Sequence, residues 1–233
     1  EIGLLDESGQ LWNPVTNCCP CVYHGNGPHW AKQKFKEMAA HFEYFPDREP
    51  KLSTAPIMDL DYEVVAPEII VTDLLTEVQC QNLIDKCNEY GNWGSLEGDK
   101  FPAQEIRLKQ LDLWKEYEKL WVDKLAKIAE EYWKPMAYMG LRDAFAMKYT
   151  PQTQKSLAYH TDASLVTGSV KLNEDYYGGE LVFPRQDFTN KDVQIGKCIL
   201  FPSEVTHGHH VPDVTSGVKY SLTMWTSRYE GDE

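Results

Sequence analysis

The sequence predicts an α+β protein, with two helices packed against a β core of the sandwich, jelly-roll or barrel kind. Three observations predict it. After Pro135, short apolar segments alternate with turn signals at intervals of roughly 8 to 12 residues, the texture of many short strands. Ahead of them stand two stretches with helical periodicity. The chain has 233 residues, 42% hydrophobic and 25% charged, enough apolar material for one sizeable core with a short appendage.

Residues 1–50 are rich in Pro, Asn, His and Gly, with one short basic helical stretch, 30–41, between Pro28 and Pro46. They are expected to form an arm, with 51–233 as the main domain. The first helix, 76–90, opens with Thr76 and has Gln79 three residues on, a capping-box pattern, and Gly91 stands at the C′ position. The second, about 111–134, carries Trp114, Tyr117, Trp121, Leu125, Ile128 and Tyr132 at steps of three and four until Pro135 stops it. That stripe is read as core, lying on a sheet. The strands are expected at 143–149, 165–172, 179–183, 197–201, 205–209 and 218–227, with a turn over 212–217.

A formal charge of −13 repels phosphate backbones and attracts cations, so nucleic-acid binding is disfavoured and a basic peptide is favoured. No apolar run approaches the ~18 residues of a membrane span. Residues 1–10 have neither a basic start nor an apolar run, and the chain is read as a piece of a longer polypeptide. The six cysteines lack the density of a disulfide scaffold. Cys80 and Cys87 are separated by roughly 10 Å of helical rise, too far to bridge. Cys18, Cys19 and Cys21, near His24 and His29, form one compact group where zinc normally takes two pairs, so no metal is expected there.

The chemistry centres on His160 and Asp162. Alone, a His-x-Asp is weak, since about half a match is expected by chance in this composition. Context strengthens it. His209 follows 47 residues after Asp162, within His207-Gly208-His209-His210, and Lys219 lies ten residues beyond on the last strand. Two imidazoles and a carboxylate occupy one face of an iron octahedron and leave the other positions open for a bidentate cosubstrate and dioxygen. With period 2, Lys219, Ser221, Thr223 and Trp225 share one face and Tyr220, Leu222 and Met224 the other. A lysine facing a barrel interior is costly unless it meets an anion, such as the distal carboxylate of a dicarboxylic cosubstrate. Tyr149, at the end of its own strand, offers a phenolic donor to the same carboxylate.

The runs Tyr159-His160-Thr161-Asp162-Ala163-Ser164, Tyr177-Gly178-Gly179-Glu180-Leu181, Thr206-His207-Gly208-His209 and Gly217-Val218-Lys219-Tyr220 resemble the iron(II) and 2-oxoglutarate dependent dioxygenases. Within them they resemble the procollagen lysyl hydroxylases, as do Glu89-Tyr90-Gly91-Asn92-Trp93 and 105–110 upstream. The similarity covers about 67–229.

This resemblance implies a double-stranded β-helix, with His160, Asp162 and His209 as iron ligands and Lys219 as the basic residue that pairs with 2-oxoglutarate; Tyr149 and Ser221 are expected from their strand positions to be further 2-oxoglutarate contacts. It makes His209, the second of a His-x-His, the ligand in its cluster; His207 is then structural and His210 an exposed loop residue. It further implies ascorbate as a cofactor, a collagen-like peptide substrate hydroxylated at lysine, a homodimer and, if the animal family is followed, the endoplasmic reticulum lumen. Residues 22–28 resemble the end of the glycosyltransferase domain that some of these enzymes carry first, with His24 matching a manganese-binding histidine expected to be idle here. Peptidyl proline is the alternative target. A non-catalytic binding module ranks below both, since it gives no reason for Lys219 on an inward face.

Overall fold

The computed structural model describes residues 61–94, 103–133 and 140–226, with two short strands near the N-terminus. The chain divides into two units, Glu1–Met58 and Asp59–Glu233. In the first, β1 (Leu4–Leu5) and β2 (Leu11–Trp12) pair antiparallel, Leu4 opposite Trp12. The expected cysteine cluster, His24, His29 and the helix at 30–41 lie outside the described residues.

The second unit opens with β3 (Glu63–Ala66) and β4 (Ile69–Asp73), then α1 (Glu77–Tyr90) and β5 (Glu105–Arg107). A 3₁₀ turn, Leu108–Leu111, leads into α2 (Trp114–Leu120), a π-helical turn (Trp121–Leu125) and α3 (Ala126–Tyr132). The remaining strands are β6 (Leu141–Tyr149), β7 (Leu157–His160), β8 (Val166–Lys171), β9 (Tyr176–Gly178), β10 (Val182–Phe183), β11 (Phe188–Thr189), β12 (Lys197–Pro202), β13 (His209–Val211), β14 (Val214–Gly217) and β15 (Lys219–Thr226). A seven-stranded sheet runs β3-β4-β12-β8-β15-β6-β5 and a four-stranded one β11-β10-β13-β7, every pairing antiparallel.

Alternation along the strands of the large sheet separates two cores. Tyr220, Leu222, Met224, Leu200 and Val170 pack with Leu83 and Cys87 of α1 and with Tyr117, Trp121, Leu125 and Ile128 of the longer helical segment. On the opposite face Phe145, Met147, Ile199 and Phe201 pack against Leu181, Phe183 and Val211 of the smaller sheet. This is the expected two-layer jelly roll with helices outside it. Gly168 lets the helices and sheet approach closely here, since a Cβ would sit 3.1 Å from Met224 Cε and 3.2 Å from Cys198 Sγ and force these side chains to shift.

The capping box of α1 forms as read: Thr76 Oγ1 accepts from Gln79 N at 3.2 Å, Gln79 Oε1 accepts from Thr76 N at 2.9 Å, and Gly91 takes φ 71°. The second helix starts later than expected, at Trp114, because the 3₁₀ turn before it ends on Asp112 at φ 55°, a left-handed residue that no α-helix propagates. Three strand expectations are corrected. The strand expected at 179–183 is only Val182–Phe183, Gly179 lying at φ 74° outside it. Residues 203–206 form a turn, so the strand expected at 205–209 begins only at His209. The turn expected over 212–217 contains β14, whose polar Val-Thr-Ser-Gly pattern shows no alternation and whose partner β9 is far away in sequence. His210 is likewise no exposed loop residue: it lies half-buried on β13 opposite Val182. Cys80, Cys87 and Cys198 are free, buried thiols.

Candidate functional site

Strands β7 and β13 put His160 and His209 directly opposite each other, ring centroids 4.5 Å apart. His160 Nδ1 lies 2.8 Å from Ala158 O and His209 Nδ1 2.9 Å from His207 O. Each Nδ1 therefore carries the proton it donates to a backbone carbonyl, which turns each Nε2 inward. Both Nε2 atoms face one oxygen: Asp162 Oδ1 is 3.3 Å from His160 Nε2 and 3.5 Å from His209 Nε2. Ligand atoms of the three residues all lie within 4.8 Å of one another.

Asp162 is anchored by Asp162 N donating to Ser203 O at 3.1 Å, and its Oδ2 accepts from Thr167 Oγ1 at 2.7 Å. Desolvation opposes ionisation of its carboxyl, but the charge of His209 and the His160 hydrogen bond outweigh it and hold it below the usual carboxylate range. Desolvation pushes His209 down, with Asp162 only partly offsetting it. A divalent cation binding here would take the place of any Nε2 proton beside the ionised carboxylate, and this N,N,O donor set suits iron(II). The residues fit the metal.

The same cavity is lined by Lys219, Tyr149, Ser221, Lys171, Asn190 and Glu105, with Phe145, Leu181, Phe201 and Val211 as apolar wall. Lys219 is 3% exposed, and its Nζ sits 4.6 Å from the centroid of the Tyr149 ring directly across the ladder. No hydrogen-bond or ion-pair partner for this ammonium occurs among the described residues. Burial pushes it down to about 7, with Glu180 pulling it partly back. A buried lysine without a direct anionic partner, aimed into a cavity, is a place for a ligand carboxylate.

The structure thus brings all six sequence-selected residues to one cavity. Tyr149 is deeper than expected: it is fully buried and its hydroxyl reaches Met147 Sδ at 3.6 Å. His207 has the structural place foreseen for it, Nε2 3.1 Å from Pro67 O and Nδ1 2.8 Å from Thr206 Oγ1, away from the triad. Sequence reasoning missed Thr167, Lys171 and Glu105. Thr167 and Lys171 could have been found from the alternation of the strand expected at 165–172; β5 was not foreseen at all.

Residues 144–227 match the family model of the 2OG-Fe(II) oxygenase superfamily. Over 201 residues, 81% of this chain, the sequence is 28% identical to the rat procollagen-lysine,2-oxoglutarate 5-dioxygenase 1. It is 30% identical over 180 residues to the rat multifunctional procollagen lysine hydroxylase and glycosyltransferase LH3, covering 70% of this chain. The matches span 26% and 24% of those relatives, so the chain corresponds to about a quarter of their length. Among solved structures, a Pseudomonas putida prolyl-4-hydroxylase superposes with a TM-score of 0.53 at 17% identity, covering 70% of this chain and 93% of that one, which supports the fold.

Proposed function

Since the chain belongs to the 2OG-Fe(II) oxygenase superfamily, in the family of the procollagen-lysine dioxygenases, we propose that it hydroxylates peptidyl lysine in collagen-like sequences, with oxidative decarboxylation of 2-oxoglutarate to succinate. The observation that carries this reading is the convergence of His160, Asp162 and His209 on the cavity that also holds the buried Lys219, which has no direct anionic partner among the described residues. Iron(II), when bound, supplies the activation of dioxygen that such a hydroxylation needs. In this reading Nε2 of both histidines and one oxygen of Asp162 hold it, and Thr167 keeps the other oxygen turned away.

Lys219 receives the distal carboxylate of 2-oxoglutarate, with Ser221 and the Tyr149 hydroxyl beside it. Phe145, Leu181, Phe201 and Val211 keep water from the reacting end of the cavity. Ascorbate accompanies the reaction as reductant. Glu174, Asp175 and Asp187 are exposed carboxylates, and with Glu180 they contribute to the −13 charge that favours a lysine-bearing peptide.

The test is mass spectrometry of a collagen-like peptide containing both Lys and Pro, incubated with the protein, iron(II), 2-oxoglutarate and ascorbate in air. A gain of one oxygen on lysine is expected. A gain confined to proline makes the protein a peptidyl-proline hydroxylase, and no gain with no succinate formed removes the enzymatic reading.

A further inference from the structure

We propose that Glu105 selects the substrate's side-chain ammonium in this cavity and is the specificity-determining residue for lysine. The inference deepens the lysyl reading above and rests on it. Among the described lining residues the charged side chains outside the triad are Lys171, Lys219 and Glu105. With a divalent cation on the triad, Lys219 keeps the pocket cationic, and a lysine ammonium entering it loses hydration without compensation unless a carboxylate receives it.

Asp162 is committed. Its Oδ2 is hydrogen bonded to Thr167 and its Oδ1 faces both imidazoles. Glu105 is the remaining lining carboxylate among the described residues. It is buried on edge strand β5 opposite Met147, two residues before Tyr149 on the inward face of β6. Its charge reaches the reaction cavity: after burial, the carboxylates of Asp162 and Glu105 are what push the Tyr149 phenol up.

The carboxylate is also held in place before any substrate arrives. Arg107 Nη2 lies 3.4 Å from Glu105 Oε1, and Arg107 is itself ion-paired through Nη1 with Asp143 on the neighbouring strand. The Glu105 backbone is fixed on its other side by Gly94, with N–O distances of 3.3 and 3.4 Å. A pre-oriented carboxylate loses little entropy on meeting an ammonium and recognises it more tightly than a mobile one. By contrast Lys171 is turned to Val193 O and Glu174, each at 3.0 Å, so its charge is met there and not by Glu105.

The experiment compares a Gly-X-Lys peptide with the same peptide carrying norleucine in place of lysine, which keeps the four side-chain carbons and deletes the ammonium. Binding is measured by fluorescence polarisation on protein loaded with iron(II) and 2-oxoglutarate without air, and turnover by mass spectrometry in air. Wild type is expected to bind the lysine peptide about 10- to 100-fold better than the norleucine peptide, the range of a charge-assisted contact. Glu105→Gln is expected to lose that preference while its 2-oxoglutarate KM stays within about twofold, and Glu105→Asp to retain it in part. Equal binding of the two peptides by wild type, which needs no variant, overturns the inference, as does Glu105→Gln with the preference intact. Wild type that oxidises a proline peptide and not a lysine one overturns the lysyl reading instead.

Discussion

Thr167 Oγ1 donates a 2.7 Å hydrogen bond to Asp162 Oδ2, and the same hydroxyl lies 2.8 Å from Ser203 Oγ, which in turn is 2.8 Å from Ser164 O. A buried hydroxyl chain thus ties the loop carrying the carboxylate to β8 and orients Oδ1 toward the imidazoles. Thr167→Val keeps the shape and removes the donor. Its affinity for iron(II) or manganese(II) is expected to fall about 10- to 100-fold, the usual effect of losing a partner behind a metal ligand, measured by anaerobic metal titration. Unchanged affinity would show that Asp162 orients itself.

The four histidines near the site separate into two behaviours. His160→Ala, Asp162→Ala and His209→Ala are each expected to abolish metal binding and 2-oxoglutarate turnover while the circular dichroism spectrum stays that of a folded protein. His207→Ala is expected to bind metal normally and to lose about 1 to 2 kcal/mol of stability, because its bonds to the Pro67 carbonyl and the Thr206 hydroxyl go. His210→Ala is expected to remain active. A metal-free His207→Ala together with an active His209→Ala would reverse the assignment.

Lys219→Ala is expected to raise the 2-oxoglutarate KM by roughly two orders of magnitude, since a buried charge-assisted contact is worth about 3 kcal/mol, and Lys219→Arg to keep appreciable activity. The pH dependence follows from the lowered value near 7. Between about 7 and the ordinary 10.5 the unfolded chain binds a proton that the folded protein lacks, so this group makes the ligand-free protein more stable as pH rises through that window. Melting temperatures at pH 6 and pH 9 are expected to show that gain in wild type relative to Lys219→Met. The dicarboxylate needs the charged ammonium, so the 2-oxoglutarate KM rises as pH climbs above 7. A KM that does not change with pH across this range refutes the pairing.

A homodimer is the expected assembly. Light scattering at micromolar concentration decides it: the chain mass is 26.8 kDa, and a value near twice that is expected. Loss of the dimer on deleting residues 1–50 would place the interface in the arm, and a mass near that of one chain would refute it.

Much of the site was legible in the amino-acid order because its signals are local. Thr76, Gln79 and Gly91 mark both ends of α1 through bonds made within a few residues. The alternation of 219–225 divides Lys219 and Ser221 from Tyr220 and Leu222 on geometry alone, since successive side chains of a strand point to opposite faces. Spacing and burial cost drew attention to His160, Asp162 and Lys219, and family resemblance gave them their expected roles and singled out His209 from its cluster.

What only the tertiary structure decided are relationships between segments distant along the chain. The pairing of His209 with His160, the pairing of β14 with β9, and the turn of β5 that brings Glu105 beside Tyr149 each depend on which strand edges meet. Backbone donors and acceptors are the same in every residue, so a short polar strand carries no mark of its partner. Register is set by the packing of the two sheets, and that packing brings three residues scattered along the chain into one cluster.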